Sequence, residues 1–154
     1  MEIIKTKIEG LLIIKPRVFE DPRGYFFEPY NRVNFIKNTG VETVFVQDNE
    51  SFSSRNVLRG LHFQSPPKAQ DKLVRVIAGS VLDVAVDIRK NSATYGQYVS
   101  VLLSAENKSQ FLIPKGFAHG FLSLEDNTIF SYKCSNYYSP EHEGALRWND
   151  PDIN

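Results

Sequence analysis

Short apolar runs rich in Val, Ile, Leu and Phe recur along the chain between turn-forming residues. Their lengths suit strands better than helices. The pattern predicts strands over Ile3–Ile8, Leu11–Ile14, Thr43–Asp48, Lys72–Ile77, Val81–Ile88, Gln97–Leu103, Ser109–Ile113 and Thr128–Cys134. So many short strands imply an all-β sandwich or barrel. Ala78-Gly79-Ser80 joins two strong runs through a tight link and predicts a hairpin between them. One helix is predicted over Asn31–Asn38, capped by Asn31, with Val33, Phe35 and Ile36 on one side and Gly40 as its stop. No repeat, low-complexity tract or linker interrupts the pattern.

A length of 154 residues fits one domain with a substantial core. Eighteen basic and eighteen acidic residues cancel, so no field of one sign draws the whole surface to nucleic acid or an anionic membrane. An anionic ligand therefore calls for a local group of Arg and Lys. The single Cys134 excludes an intrachain disulfide framework and suits a reducing compartment as a small buried apolar side chain. The N-terminus lacks the pattern of a secretory signal, and no apolar stretch approaches membrane-spanning length. A cytoplasmic protein without membrane or nucleic-acid partners is expected.

Several residues bring chemistry into this frame. Arg59-Gly60-Leu61-His62-Phe63 places a cation and an imidazole beside a glycine. In a regular strand Arg59 and His62 point to opposite sides, so a shared pocket requires a bulge or kink near Gly60. A structural His at a strand end fits the same residues equally well. Alternation puts Lys72 with Val74 and Val76, opposite Leu73, Arg75 and Ile77. An interior Lys72 can stabilise a developing enolate oxygen, whereas a snorkelling Lys at the barrel rim is the simpler alternative. Pro114 to Phe121 is expected as a loop, in which His119 either meets a ligand or packs between Phe117 and Phe121. Tyr132 alternates with Phe130 and Cys134 and should point inward, where its phenol needs a partner. Tyr137-Tyr138 follows, with flat rings suited to covering a ligand. Asp83 and Asp87 share a face with Ala85, and Asp83 suits a structural or supporting role rather than a catalytic one. Three His, one Cys and no H-x-H or H-E-x-x-H pattern make a His-based metal site improbable. No Gly-rich phosphate loop is present, so phosphates would have to be met by Arg side chains.

Taken together, Asp21-Pro22-Arg23-Gly24, Gln47-Asp48-Asn49, Leu58 to Gln64, Asp83 to Arg89, Ile113 to Phe121 and Trp148-Asn149-Asp150-Pro151 resemble the dTDP-4-dehydrorhamnose 3,5-epimerase family over nearly the whole chain. The resemblance implies a cupin-like double-stranded β-helix, or jelly roll, with one or two short helices. It also implies a homodimer, no metal or cofactor, and a dTDP-linked 4-keto-6-deoxy sugar as substrate. Position by position, it makes His62 the base beside the keto group, Lys72 the stabiliser of the enolate oxygen and Tyr132 the acid on the opposite face. Two acid/base groups and an electrophile are what inversion through an enolate requires. Arg59 and His119 correspond to residues lining the sugar and phosphate region. Arg23, Glu28, Gln47, Asn49 and Glu143 correspond to nucleotide-contacting positions, and Tyr138 joins the substrate-binding set.

Members of that family continue beyond Asn154 into a segment whose Asp orients the catalytic His. The resemblance therefore implies one jelly-roll domain over residues 1–154 without that tail, and Asp83 is the in-chain carboxylate to consider for the task. A related single-position epimerase, a keto-sugar isomerase or a non-catalytic sugar-nucleotide binder remain as alternatives. A metal-dependent oxygenase is disfavoured by the ligand count.

Overall fold

A computed structural model describes residues 1–153. In chain order it contains β1 (Glu2–Lys5), β2 (Leu12–Lys15), β3 (Val18–Asp21), β4 (Gly24–Phe27), helix α1 (Arg32–Thr39), β5 (Gln47–Ser53), β6 (Leu58–Gln64), β7 (Lys72–Ala78), β8 (Ser80–Asp87), β9 (Tyr98–Ser104), β10 (Gln110–Ile113), β11 (Phe117–Ser123), β12 (Thr128–Cys134) and β13 (Glu143–Ala145), with a 3₁₀ turn at Pro140–His142. Two antiparallel sheets, ordered β1-β2-β10-β7-β12-β5 and β13-β6-β11-β8-β9, form a cupin-like jelly roll, and β3-β4 makes a separate hairpin.

The main core lies between the sheets. Val74, Val76, Phe111 and Phe130 of one sheet pack with Val81, Ala85, Val101, Leu103, Phe117 and Phe121 of the other. In β9 the burial alternates strictly, with Val99, Val101 and Leu103 inward, as a sheet wet on one face requires. Strand β10 is buried on both faces, because Leu12, Ile14, Leu73 and Leu112 meet Phe35 of α1 on the outer side. Fully burying such side chains contributes about 1.5–3 kcal/mol each.

Helix α1 begins and ends where the residue types direct. The Asn31 carboxamide oxygen accepts from the Asn34 N–H at 3.2 Å, and the Gly40 N–H donates to the Ile36 carbonyl at 2.8 Å from a left-handed backbone. Val33, however, faces solvent; only Phe35 and Ile36 join the core. No helix among the described residues is long and apolar enough to cross a membrane.

Three expectations about the strands are corrected. Strands β7 and β8 do not pair: β7 lies between β10 and β12, whereas β8 lies between β11 and β9. Only Gly79 separates them, fewer residues than the two-residue hairpin loop, so the chain turns a corner from one sheet into the other. Phe117–Ser123 is a strand rather than a loop. The strand expected over Thr43–Asp48 instead runs from Gln47 to Ser53.

Candidate active site

The strand β6 enters beside β11 with a defect in its register. His119 stands opposite His62, but Phe121 stands opposite Arg59, so the pairing shifts between them. Gly60, at φ +104°, lies in this irregularity. A Cβ there would stand 2.6 Å from the His119 carbonyl oxygen and 2.7 Å from the Gly120 Cα, and one on Gly120 would stand 2.5 Å from the Arg59 carbonyl oxygen. The two glycines thus allow backbone to pass close against backbone. The shift brings Arg59 and His62 to one cavity, as a kink near Gly60 was expected to do.

That cavity, of about 470 Å³, lies between the two sheets and is lined by Arg59, His62, Lys72, His119 and Tyr132 together with Ser51, Leu58, Gly60, Gly120, Phe121 and Phe130. His62 and His119 come from the five-stranded sheet, whereas Lys72 and Tyr132 come from β7 and β12 of the other. Phe121 and Phe130 stack at 4.2 Å between ring centres and form an apolar wall. His119 also stacks near Phe130, at 6.1 Å.

Each polar side chain has a defined setting. Lys72 points into the cavity with its ammonium 5.9 Å from the centre of the Tyr132 ring. Burial pushes the Lys72 ammonium below the usual lysine value, while Cys134, Asp83 and Glu143 act the other way. It is an interior lysine, not a snorkelling one. Burial raises the Tyr132 phenol above the usual tyrosine value, with the Arg59 charge opposing. The Arg59 guanidinium is anchored through Nε to the Ser53 hydroxyl at 3.1 Å and through Nη2 to the Phe52 carbonyl at 3.1 Å, which leaves further N–H groups for an anion.

Asp83 is fully buried and receives His119 Nε2 at 2.9 and 3.0 Å on its two oxygens. Burial raises the Asp83 carboxyl, against the opposing pull of His119. This corrects the expectation that Asp83 orients His62. His62 and His119 stand opposite each other on β6 and β11, and Ala85 of β8 stands opposite His119 on the other side. Strand β11 therefore separates Asp83 from His62, two strand spacings of roughly 4.8 Å each. The expected supporting role of Asp83 falls to His119 instead. Asp87, also buried, accepts from Arg89, Ser92 and Thr94 and lies outside the cavity lining.

The remaining expected residues divide. Gln47 and Asn49 lie on the same face of β5 as Ser51, and Asn49 stands opposite Tyr132. Tyr138 donates its phenol to Glu143 Oε2 at 2.9 Å. Gln47, Asn49, Tyr138 and Glu143 lie outside the cavity lining, and so do Arg23 and Glu28. Arg23 is paired with Asp21 at 2.6 Å on the exposed β3-β4 hairpin, and Glu28 accepts from Asn31 and Asn34 at the start of α1. Ser51 was not anticipated, although its alternation with Gln47 and Asn49 places it on the cavity face. Among the described residues no three His, Cys, Asp or Glu side chains gather as a metal ion would need.

An imidazole and a phenol on the walls of one cavity, from different sheets and with a buried ammonium near the phenol, are the kinds of group that proton removal from one face of a carbon and return to the other require. Comparison with known proteins bears on the same chemistry. The family model for dTDP-4-dehydrorhamnose 3,5-epimerase matches residues 5–154. The dTDP-4-dehydrorhamnose 3,5-epimerase of Salmonella typhimurium is 58% identical over 153 residues, which cover 99% of this chain and 84% of the relative. A Legionella pneumophila dTDP-6-deoxy-D-glucose-3,5-epimerase, crystallised with dTDP-4-keto-L-rhamnose, superposes with a TM-score of 0.96 at 51% identity, covering 99% of this chain and 80% of that one. A 3'-monoepimerase from Streptomyces bikiniensis, crystallised with dTDP-quinovose, is more distant, with a TM-score of 0.90 and 33% identity over 96% of this chain and 75% of that one. The chain belongs to the dTDP-4-dehydrorhamnose 3,5-epimerase family.

Proposed function

We propose that this enzyme epimerises dTDP-4-dehydro-6-deoxy-D-glucose at carbons 3 and 5 to give dTDP-4-dehydro-L-rhamnose, a step of dTDP-L-rhamnose biosynthesis. The observation that carries this reading is the presence of His62 and Tyr132, from opposite sheets, on the walls of one cavity with Lys72. His62 removes the proton beside the 4-keto group. The enolate oxygen takes the Lys72 ammonium as its counter-charge, which counts for more in a buried site than in water. Tyr132 delivers a proton to the other face, and the elevated pKa of its phenol keeps that proton available. His119, held by Asp83, presents its remaining ring nitrogen toward the sugar region. Arg59 takes the diphosphate through its unused N–H groups, and Gln47, Asn49, Tyr138 and Glu143 serve the nucleotide end.

Arg23 and Glu28 fit this reading through a second copy of the chain. The β3-β4 hairpin exposes Phe19, Tyr25 and Phe26, apolar surface suited to burial in a homodimer, from which Arg23 and Glu28 would serve the partner's cavity. The buried unpaired Cys134 accords with assignment to the cytoplasm.

The test is to incubate the protein with dTDP-4-dehydro-6-deoxy-D-glucose in deuterated water and follow carbons 3 and 5 by NMR. Deuterium at both carbons with conversion to the L-sugar is expected. Exchange at carbon 3 alone would make this a single-position epimerase, and none at either would leave a sugar-nucleotide binder.

A further inference from the structure

Gln64 ends β6 two residues after His62 and is 8% exposed, although its side chain has no place in the chemistry above. Its carboxamide is fully engaged. Nε2 donates to the Lys68 carbonyl at 2.6 Å and to the Tyr137 carbonyl at 3.2 Å, while Oε1 accepts from the Ser139 N–H at 2.9 Å. From the other sheet, Gln47 Oε1 accepts the Tyr138 N–H at 3.0 Å. Two glutamines, one from each sheet, thus grip consecutive amides of the segment that carries Tyr138, whose ring is exposed and whose phenol is held by Glu143.

We propose that Gln64 is a positioning residue: it holds Tyr138 and Glu143 in place beside Gln47 so that they can receive the nucleotide end of the substrate, and it takes no part in proton transfer. The inference rests on the sugar-nucleotide reading above. Gln is the side chain the place demands, because it alone combines two N–H donors with one acceptor at this length. A carboxylate would set oxygen against the Lys68 and Tyr137 carbonyls. An apolar side chain would leave the Ser139 N–H and two carbonyls without partners, freeing the segment while filling similar space. The exposed Tyr138 ring is then no longer fixed where a base could stack, an interaction whose loss weakens binding roughly tenfold.

The experiment is a double-mutant cycle on dTDP binding by calorimetry, using Gln64→Met, Tyr138→Ala and the pair, with steady-state kinetics on the dTDP-sugar. Gln64→Met should weaken dTDP binding and raise KM about tenfold while kcat stays within about twofold. Tyr138→Ala should weaken binding similarly, and the double variant should be little worse than either single one, because both changes remove the same fixed ring. Additive losses of about a hundredfold, parental affinity in Gln64→Met, or a fall in kcat at unchanged KM would each overturn the proposal. Should Gln64→Met fail to fold, Gln64→His, which keeps a donor and an acceptor, replaces it under the same criteria, with a smaller loss expected. The parent chain separates the two readings. If it neither binds dTDP nor turns over the sugar, the proposed function fails; if it does both and the cycle is additive, only the role of Gln64 fails.

Discussion

His119 Nε2 reaches both carboxylate oxygens of Asp83, at 2.9 and 3.0 Å, where Asp83 has no exposure to solvent. When the carboxyl is ionised it only accepts, so in that state the proton of this imidazole nitrogen points at Asp83, and the ring cannot turn over without losing the contact. Burial is the dominant influence on Asp83 and raises its carboxyl. A carboxyl raised in the folded state favours the fold most at low pH, and that contribution is lost as pH rises through the folded value. Asp83→Asn should therefore gain stability relative to the parent as pH increases. Asp83→Ala leaves the imidazole N–H unpaired and should cost about 1–3 kcal/mol. Urea titrations at pH 5 and pH 8 check both; an Asn variant that loses stability relative to the parent from pH 5 to pH 8, or an Ala variant as stable as the parent at pH 5, would contradict them.

Lys72 gives the corresponding prediction for activity. Its ammonium is held below the usual lysine value, chiefly by burial, while burial raises Tyr132. The alkaline limb of kcat/KM is expected to follow Lys72 and to lie below the usual lysine range. Arg stays charged throughout this range. Lys72→Arg should keep reduced activity with its alkaline limb moved upward, and Lys72→Met should lose roughly a hundredfold or more in kcat. Because a lysine lowered by folding favours the fold less as pH falls, Lys72→Met should also melt higher at neutral pH. An unmoved limb in Lys72→Arg would assign the alkaline ionisation elsewhere.

Gly60 tests how the site is assembled. At φ +104° a Cβ would meet the His119 carbonyl oxygen and the Gly120 Cα, both backbone atoms that cannot swing aside. Gly40 also has a positive φ, but nothing lies within 4 Å of the place its Cβ would take. Gly40→Ala should cost about 1 kcal/mol, a backbone penalty alone. Gly60→Ala should cost distinctly more than that and reduce the soluble yield. Thermal melts of the two variants would show comparable losses if the close approach of β6 and β11 were unimportant.

The strands legible in the chain are those whose two faces differ. Thr128–Cys134 is observed with its expected bounds, and Lys72–Ile77 and Val81–Ile88 lie within a residue of theirs, because each sets apolar residues against the core at period two. Two other strands, β5 and β11, are less legible for a physical reason. In β5 the inward residues are Gln47, Asn49, Ser51 and Ser53, so polarity occupies the face where hydrophobicity marks a strand elsewhere. In and just before β11 the glycines at 120 and 116 resemble loop punctuation, yet Gly120 serves the approach of Gly60. The corner between β7 and β8 is not legible in the sequence, because Gly79 marks a turn without fixing which sheet the next strand enters. His62, Lys72, Tyr132, Arg59 and His119 line one cavity, while Arg23, Glu28, Gln47, Asn49, Tyr138 and Glu143 lie outside its lining.

The assignment of base and acid has the sharpest test, because removing either leaves a different remnant of the reaction. His62→Ala should abolish deuterium uptake from solvent at both carbons, since no proton leaves without the base and such assistance is worth roughly a hundredfold to ten-thousandfold. Tyr132→Phe keeps the ring that packs beside Phe130, at 5.9 Å between centres, and loses only the hydroxyl. His62 can then still remove a proton and return it to the same face. Deuterium should enter with configuration retained, and inversion should fail. If both side chains served only the fold, both variants would instead lose activity in proportion to lost stability, with no difference between exchange and inversion. NMR of the recovered sugar nucleotide, alongside melting curves, separates the outcomes. Epimerisation at the parent rate by Tyr132→Phe, or exchange at the parent rate by His62→Ala, would reverse the assignment.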